Sequence, residues 1–386
     1  MFNIGDAYIW LSGASLMFSL LMIGGLLFLI ATKGLGFFWP ANIGQYTLKN
    51  GDVYYGQFMG DEPSNEIQTD VESKYRTRLK IGNRDLYGLD FRWINNSEVS
   101  SIDYPSEIVV LERREWGNFH GRIKEVTVDN KLLNLSEKDS LKKLQSLIRD
   151  SNKVHKKIKK IEKGEIGKIN YGIEKARLKM RGLELKGITD PSEFKVYENK
   201  IEKFEAGYVL KEAELNKLYH EIEKNTVTMV SPDGREKVMP VGDLVRAFNP
   251  NGMGFFNKIG FYFGKIWEFV SENPREANTE GGIFPAIFGT IFMVLIMSIV
   301  VMRFGVLAAI FLREYAKQGF LVRLIRICVN NLAGVPSIVY GVFGVGFFLY
   351  GVGGLVDALF FKEALPNPTF GTGGILWASL TLALLT

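Results

Sequence analysis

Cysteine is nearly absent: Cys328 is the only one in 386 residues. No disulfide can form within the chain, so its water-facing parts must hold together by packing. Histidine is almost as scarce. His120, His155 and His220 lie far apart and offer no metal-ligand spacing. There is no Walker A motif. The nearest approach, Gly260 with Gly264 and Lys265, is one residue short, and Ile266 stands where a Ser or Thr must reach Mg²⁺. "LSGAS" at 11–15 echoes an ATPase signature, but it lies in an apolar run that nucleotide does not reach. Nothing places a Ser, a His and an Asp together. The net charge of +5 is small, and Lys and Arg are mixed with Asp and Glu, so no basic stripe for nucleic acid is present. Neither a catalytic site nor a metal or cofactor of the chain's own is expected.

Charge is missing altogether from residues 7–32, 281–302 and 327–356. A bilayer core takes about 20 apolar residues as helix, so each run is long enough to cross. The first run has no Lys or Arg before it, exceeds a signal-peptide core in length and lacks an A-x-A site after it, which favours an uncleaved anchor over 7–32. Between the second and third runs stand Arg303, Arg313, Lys317, Arg323 and Arg326 against one acid, Glu314. The positive-inside rule puts that connection in the cytoplasm. Counting back, the segment 33–280 is outside and the N-terminus inside. The C-terminal stretch Ile375–Thr386 is apolar but too short to cross. It is expected to be the start of a fourth span, with the chain cut inside it.

The outer segment divides by pattern. Residues 42–128 alternate short β-type runs with turns, and Asn50–Gly51 is a hairpin signal with both turn positions at positive φ. A short helix is expected over 136–149. Residues 152–225 carry apolar residues at 3–4 spacing, most cleanly at Phe194, Tyr197, Ile201, Phe204, Tyr208, Leu215, Leu218 and Ile222. In "KGITDPSE", Gly187 suits a helix C′ position, Asp190 an N-cap, Pro191 the first helical position and Glu193 a capping box. An antiparallel coiled-coil hairpin follows, roughly 45 Å long. Residues 226–248, with a turn at Asp233–Gly234, are read as completing the β-domain that the hairpin interrupts. Residues 255–272, "FFNKIGFYFGKIWEFVSE", read as an amphipathic helix lying at the membrane surface with Lys258 and Lys265 on its polar face.

The third run is poor in bulk. Gly334, Ser337, Gly341 and Gly344 recur at helical spacing, as a close-packing face would. Asn330 and Asn331 carry amides that need partners, and Pro336 removes a backbone hydrogen bond. Two readings stay open: a tightly packed structural helix with a proline kink, or a helix that lines a polar path through Asn330, Asn331, Pro336 and Ser337.

"NTEGGIFPAIFGTI" (278–291), "GVLAAIFLREYA" (305–316) and "RLIRICVNNLAGVPSIVYGVFGVGFF" (323–348) occur in order, with "ATKGLGFF" after the first run. Together they resemble the PstA-type permease of the bacterial phosphate ABC transporter, in an enlarged form with a big first periplasmic insert. The resemblance implies an α-helical polytopic membrane protein of ABC permease type, with an inserted α+β periplasmic domain over 40–254 and the start of the permease domain over 281–386. It implies a phosphate importer of the bacterial inner membrane. Its partners would be a PstC-type permease, two cytoplasmic ATPases that bind ATP and Mg, a periplasmic phosphate-binding protein and membrane lipids. Arg303 stands where that family usually has proline. The rival reading is a membrane-anchored periplasmic coiled-coil scaffold or sensor with no transport role.

Overall fold

The computed structural model describes residues 4–63, 75–133, 136–276, 280–332 and 334–385. Part of the strand-rich segment 42–128 and the first two residues of the block beginning at Asn278 lie outside the described residues. In chain order, helix α1 (Ile4–Gly36) precedes strands β1 (Ile43–Leu48), β2 (Val53–Pro63) and β3 (Tyr75–Lys80), helix α2 (Arg84–Tyr87), then β4 (Phe91–Asn95), β5 (Val99–Asp103), β6 (Val109–Arg113), β7 (Asn118–Val128) and β8 (Lys131–Leu133). Helix α3 (Glu137–Lys160) runs through a π-helical turn at Ile161–Ile166 into α4 (Gly167–Leu185), and α5 (Pro191–Glu223) returns. After β9 (Thr226–Val230), β10 (Glu236–Pro240) and β11 (Leu244–Phe248) come α6 (Phe255–Ser271) and the two-residue strands β12 (Pro274–Arg275) and β13 (Glu280–Gly281). The remainder is helical: α7 (Phe284–Ile310), α8 (Phe320–Leu332), α9 (Ser337–Phe343), a π-helical stretch Gly344–Gly353, α10 (Gly354–Phe360) and α11 (Ile375–Leu385). Two compact units emerge, Met1–His155 with His220–Gly282, and Lys156–Tyr219 with Ile283–Thr386.

Among the described residues, the first unit carries two large antiparallel sheets, ordered β4-β3-β2-β1-β5 and β10-β9-β7-β6-β11 with β8 also paired to β7, and a small ladder of β12 with β13. Strand β9 lies beside β7, so residues on either side of the helical hairpin complete one sheet. Against that sheet α3 buries Leu144 and Ile148, packed with Leu111, Phe119, Val227, Met229 and Leu244. The helix extends well past the expected 136–149, to Lys160. Asn152 and His155, further along it, bond the Val245 and Gly242 carbonyls. Both hairpin loops are built alike. Gly51 and Gly234 alone take positive φ (+92° and +81°), while Asn50 and Asp233 do not. The Leu48 N–H donates to the Asp52 carbonyl at 2.8 Å, and the Ser231 N–H to the Arg235 carbonyl at 2.9 Å. The geometry matches a three-residue loop, a type I turn followed by a left-handed residue, in place of the two-residue turn expected.

In the second unit, successive contacts run in opposite directions along the two helical arms. The Tyr219 hydroxyl donates to Glu162 at 2.6 Å, Lys211 pairs with Glu165 at 2.7 Å, and Gly172 lies under the Phe204 ring. At the tip, Gly187 takes φ +72° and the Ile188 N–H returns to the Leu183 carbonyl at 3.1 Å, closing α4. Asp190 accepts both the Ser192 N–H and its hydroxyl, capping α5.

Among the described residues, three helices are long and apolar enough to cross a membrane: Tyr8–Gly36, Phe284–Tyr315 and Ser337–Phe360. The third differs from the expected 327–356. Pro336 lacks an N–H and its ring excludes helical backbone at the residue before it. The chain therefore ends α8 at Leu332 and restarts at Ser337 instead of kinking. The Tyr340 hydroxyl donates to the Leu332 carbonyl at 2.9 Å across the break. Downstream the helix runs past Val356 to Phe360, taking Asp357 into the span.

Candidate functional site

Breaking the helix separates the residues singled out from sequence. Asn330 and Asn331 end α8, Gly334 lies in the turn, and Pro336 and Ser337 start the next helix. All five are exposed, and none of them lines the cavity described below. A Cβ built on Gly341 would meet nothing within 4 Å, whereas Gly344 lies against the Thr381 side chain of α11. Of these two glycines, Gly344 is the one that meets another helix of the chain.

Asp357 carries no sequence signal beyond ending an uncharged run. It is 1% exposed. Its carboxylate accepts the Phe370 N–H at 2.9 Å and the Gly371 N–H at 2.7 Å, folding the loop after α10 back onto the span. Trp377 donates to the Phe370 carbonyl at 2.7 Å, tying the same loop to α11.

The larger concentration of polar chemistry lies in the first unit. Strand β6 is buried along its whole length, yet it ends in Glu112 and Arg113. Adjacent strand residues face opposite ways, so each charge needs its own partner. Arg113 takes Asp85 with two hydrogen bonds, 2.9 and 3.0 Å, and also donates to the Gly117 and Trp116 carbonyls. Burial pushes the Asp85 carboxyl up, but Arg113 and Lys237 outweigh it and hold the group below its usual range. Glu112 takes Lys265 of α6 at 2.7 Å. One turn on, Glu268 accepts from Arg246 at 2.7 Å, from Arg275, and lies 3.4 Å from Lys265. Burial raises the Glu268 carboxyl, while Lys265, Arg246 and Arg275 together bring it below normal. Glu280 goes the other way: burial leads, and its carboxyl is pushed up.

Helix α6 thus turns two of its charges inward, while Lys258 bonds Asn42 at an exposed site. Lys265 and Glu268 face the sheet, while Phe256, Phe263 and Trp267 are 85%, 64% and 71% exposed. Sequence placed Lys265 on the polar side of an amphipathic helix at the membrane surface. No local pattern could reveal that its partner is a glutamate on a strand far back in the chain.

Beside this network opens a cavity of about 450 Å³. Its apolar wall includes Phe37, Phe38, Trp39, Phe248, Phe261 and Phe269, and its polar wall includes Lys80, Arg84, Asp90, Asn118 and His120. His120 is 2% exposed, and burial holds its imidazole down at about 4. Between Lys80 and Arg84 in the chain, Gly82 sits at φ +60° with the Asn118 carbonyl 2.5 Å from where a Cβ would stand, so only glycine fits there.

No protein-family profile and no solved structure matches the chain. Two curated proteins are similar over a short stretch. The probable ABC transporter permease protein YqgI of Bacillus subtilis (strain 168) is 29% identical over 83 residues, 22% of this chain and 28% of that protein. The phosphate transport system permease protein PstA of Mycobacterium leprae (strain TN) is 32% identical over 87 residues, again 22% of this chain and 28% of that protein. Both relatives are permeases. The likeness supports an ABC transporter permease, and with the three apolar helices it supports a membrane protein. The matched stretch spans well under a third of either relative's length.

Proposed function

We propose that the chain is part of the permease of an ATP-driven inorganic phosphate importer in a bacterial inner membrane. The observation that carries this reading is the 32% identity to a phosphate transport system permease protein. The helices Tyr8–Gly36, Phe284–Tyr315 and Ser337–Phe360 cross the bilayer, and the basic connection holding Arg313, Lys317, Arg323 and Arg326 faces the cytoplasm. That orientation puts the two sheets and the coiled-coil hairpin in the periplasm. The outward stripe of Phe256, Phe263 and Trp267 lays α6 on the membrane surface. ATP and Mg are bound by partner ATPases, a second permease subunit completes the path, and a periplasmic phosphate-binding protein delivers the ion.

The test is phosphate uptake in cells deleted for the gene that encodes this chain. Restored high-affinity uptake on re-expression is the expected result. Unchanged uptake in the deletion strain under phosphate limitation would overturn the phosphate assignment. A cysteine placed at Val196, at the hairpin tip, should react with a membrane-impermeant thiol reagent in spheroplasts. Reaction only after lysis would reverse the orientation.

A further inference from the structure

The cavity beside Glu268 has two kinds of wall, and both bear on what it holds. Its volume of about 450 Å³ falls in the range of small-molecule sites. Phe37, Phe38 and Trp39 on the apolar wall follow directly on the last turn of the apolar helix α1. Phe38 packs on Phe269 of α6 with ring centres 5.0 Å apart, and Trp39 on Tyr262 at 5.9 Å. The apolar side is therefore continuous with a helix whose side chains need a bilayer around them.

The polar wall carries four cations, Lys80, Arg84, Lys265 and Arg275, and five carboxylates, Asp90, Glu112, Glu268, Glu276 and Glu280. It is nearly balanced, which disfavours a free multivalent anion. Four lining residues also hold buried polar atoms without a hydrogen-bond partner: Arg275 at Nε and Nη1, Asp90 at Oδ1, Asn118 at Oδ1 and His120 at Nδ1. His120 is 98% buried by its 2% exposure. The chain itself leaves these groups unmet, and burial makes them costly unless water or a ligand meets them. Arg275 supplies donors for an anionic group, while Asp90 and Asn118 supply acceptors for a group that bears N–H.

We infer that this cavity binds a zwitterionic amphiphile: a membrane phospholipid whose headgroup joins a phosphate to a primary ammonium. Arg275 takes the phosphate, and Asp90 with Asn118 takes the ammonium. The aromatic wall at the end of α1 takes the upper part of the acyl chains. The inference rests on α1 being embedded in a membrane, and not on phosphate being the transported ion.

Native mass spectrometry of the delipidated full chain in detergent provides the test, with dioleoyl phosphatidylethanolamine, phosphatidylcholine and phosphatidylglycerol offered separately. Phosphatidylethanolamine should be retained about tenfold more than phosphatidylcholine, whose methylated ammonium has no N–H to donate; one charge-assisted hydrogen bond accounts for that factor. Asp90→Asn should abolish the preference without changing the melting curve. If that variant fails to fold, Asn118→Ala removes the second acceptor without breaking an ion pair and should weaken the preference. Equal retention of the three lipids, or an unchanged preference in the folded variants, overturns the site. Displacement of the lipid by equimolar glycerophosphoethanolamine would make the ligand a soluble zwitterion and overturn the lipid source. Displacement by inorganic phosphate would make the cavity an anion site and overturn the headgroup assignment.

Discussion

Asn83 and His120 exchange two hydrogen bonds: the Asn83 side-chain amide donates to the His120 carbonyl at 2.9 Å, and the His120 N–H donates to Asn83 Oδ1 at 2.6 Å. Asn83 is 1% exposed and takes φ +55°, a left-handed backbone that asparagine tolerates better than most residues. The pair fastens the link after β3 to β7, and so one sheet to the other. Asn83→Ala leaves both His120 backbone groups buried and unpaired. A loss of about 2–5 kcal/mol is expected, read as a lower melting temperature of the detergent-solubilised chain by near-UV circular dichroism. An unchanged melt would refute the role.

The imidazole of His120 should make stability fall in mild acid. Burial first, then Lys80, lowers it from 6.5 to about 4. The unfolded chain therefore binds a proton between those values while the folded chain does not. Stability from this group is fully present above about pH 6.5 and is lost as pH falls toward 4. The total is about 3 kcal/mol. His120→Gln should flatten the melting curve's pH dependence over that window; a slope equal to that of the natural chain would discount the group.

Gly344 and Gly341 should part company, although the sequence puts them on one face. A Cβ at Gly344 runs into Thr381, while one at Gly341 meets nothing within 4 Å. Gly344→Val is expected to cost about 1–3 kcal/mol by overpacking. Gly341→Val should melt within about 0.5 kcal/mol of the natural chain. Equal destabilisation by both would show that the observed packing against α11 is not what holds the span.

Asp357→Ala should free the loop between α10 and α11. The Phe370 and Gly371 amides lose their acceptor, and the Trp377 bond to the Phe370 carbonyl is left to tie the loop to α11. Trypsin cleavage after Lys362 should then accelerate about tenfold or more in detergent, as loss of both amide hydrogen bonds raises the open population. Cleavage at the natural rate would mean that the carboxylate is not the clasp.

What could be read from the sequence was local. Uncharged runs marked the spans, because a bilayer imposes length and polarity on any helix that crosses it. Gly51, Gly187 and Gly234 marked turns, because their positive φ is a property of single residues. Opaque features depended on partners remote in the chain. Glu112 and Lys265, or Asp357 and the Phe370 amide, carry no mark of each other at short range. Pro336 was ambiguous by nature: the same missing N–H that kinks one helix ends another, and the outcome depends on whether neighbours repair the gap. In this chain the helix stops, and Tyr340 takes up the Leu332 carbonyl left at its end.

Strands β7 and β9 are partners, yet the whole helical hairpin is threaded between them. Closing so long a loop directly is slow, whereas the hairpin forms from contacts close in sequence. His155, near its start, and Ile222, near its end, both reach Gly242: the imidazole meets the Gly242 carbonyl at 2.7 Å, and Ile222 lies 3.1 Å from its Cβ position. The two ends of the hairpin thus meet at one residue, and the β7–β9 pairing spans only a short gap in space. The hairpin is therefore a module whose length can change without re-registering a single strand.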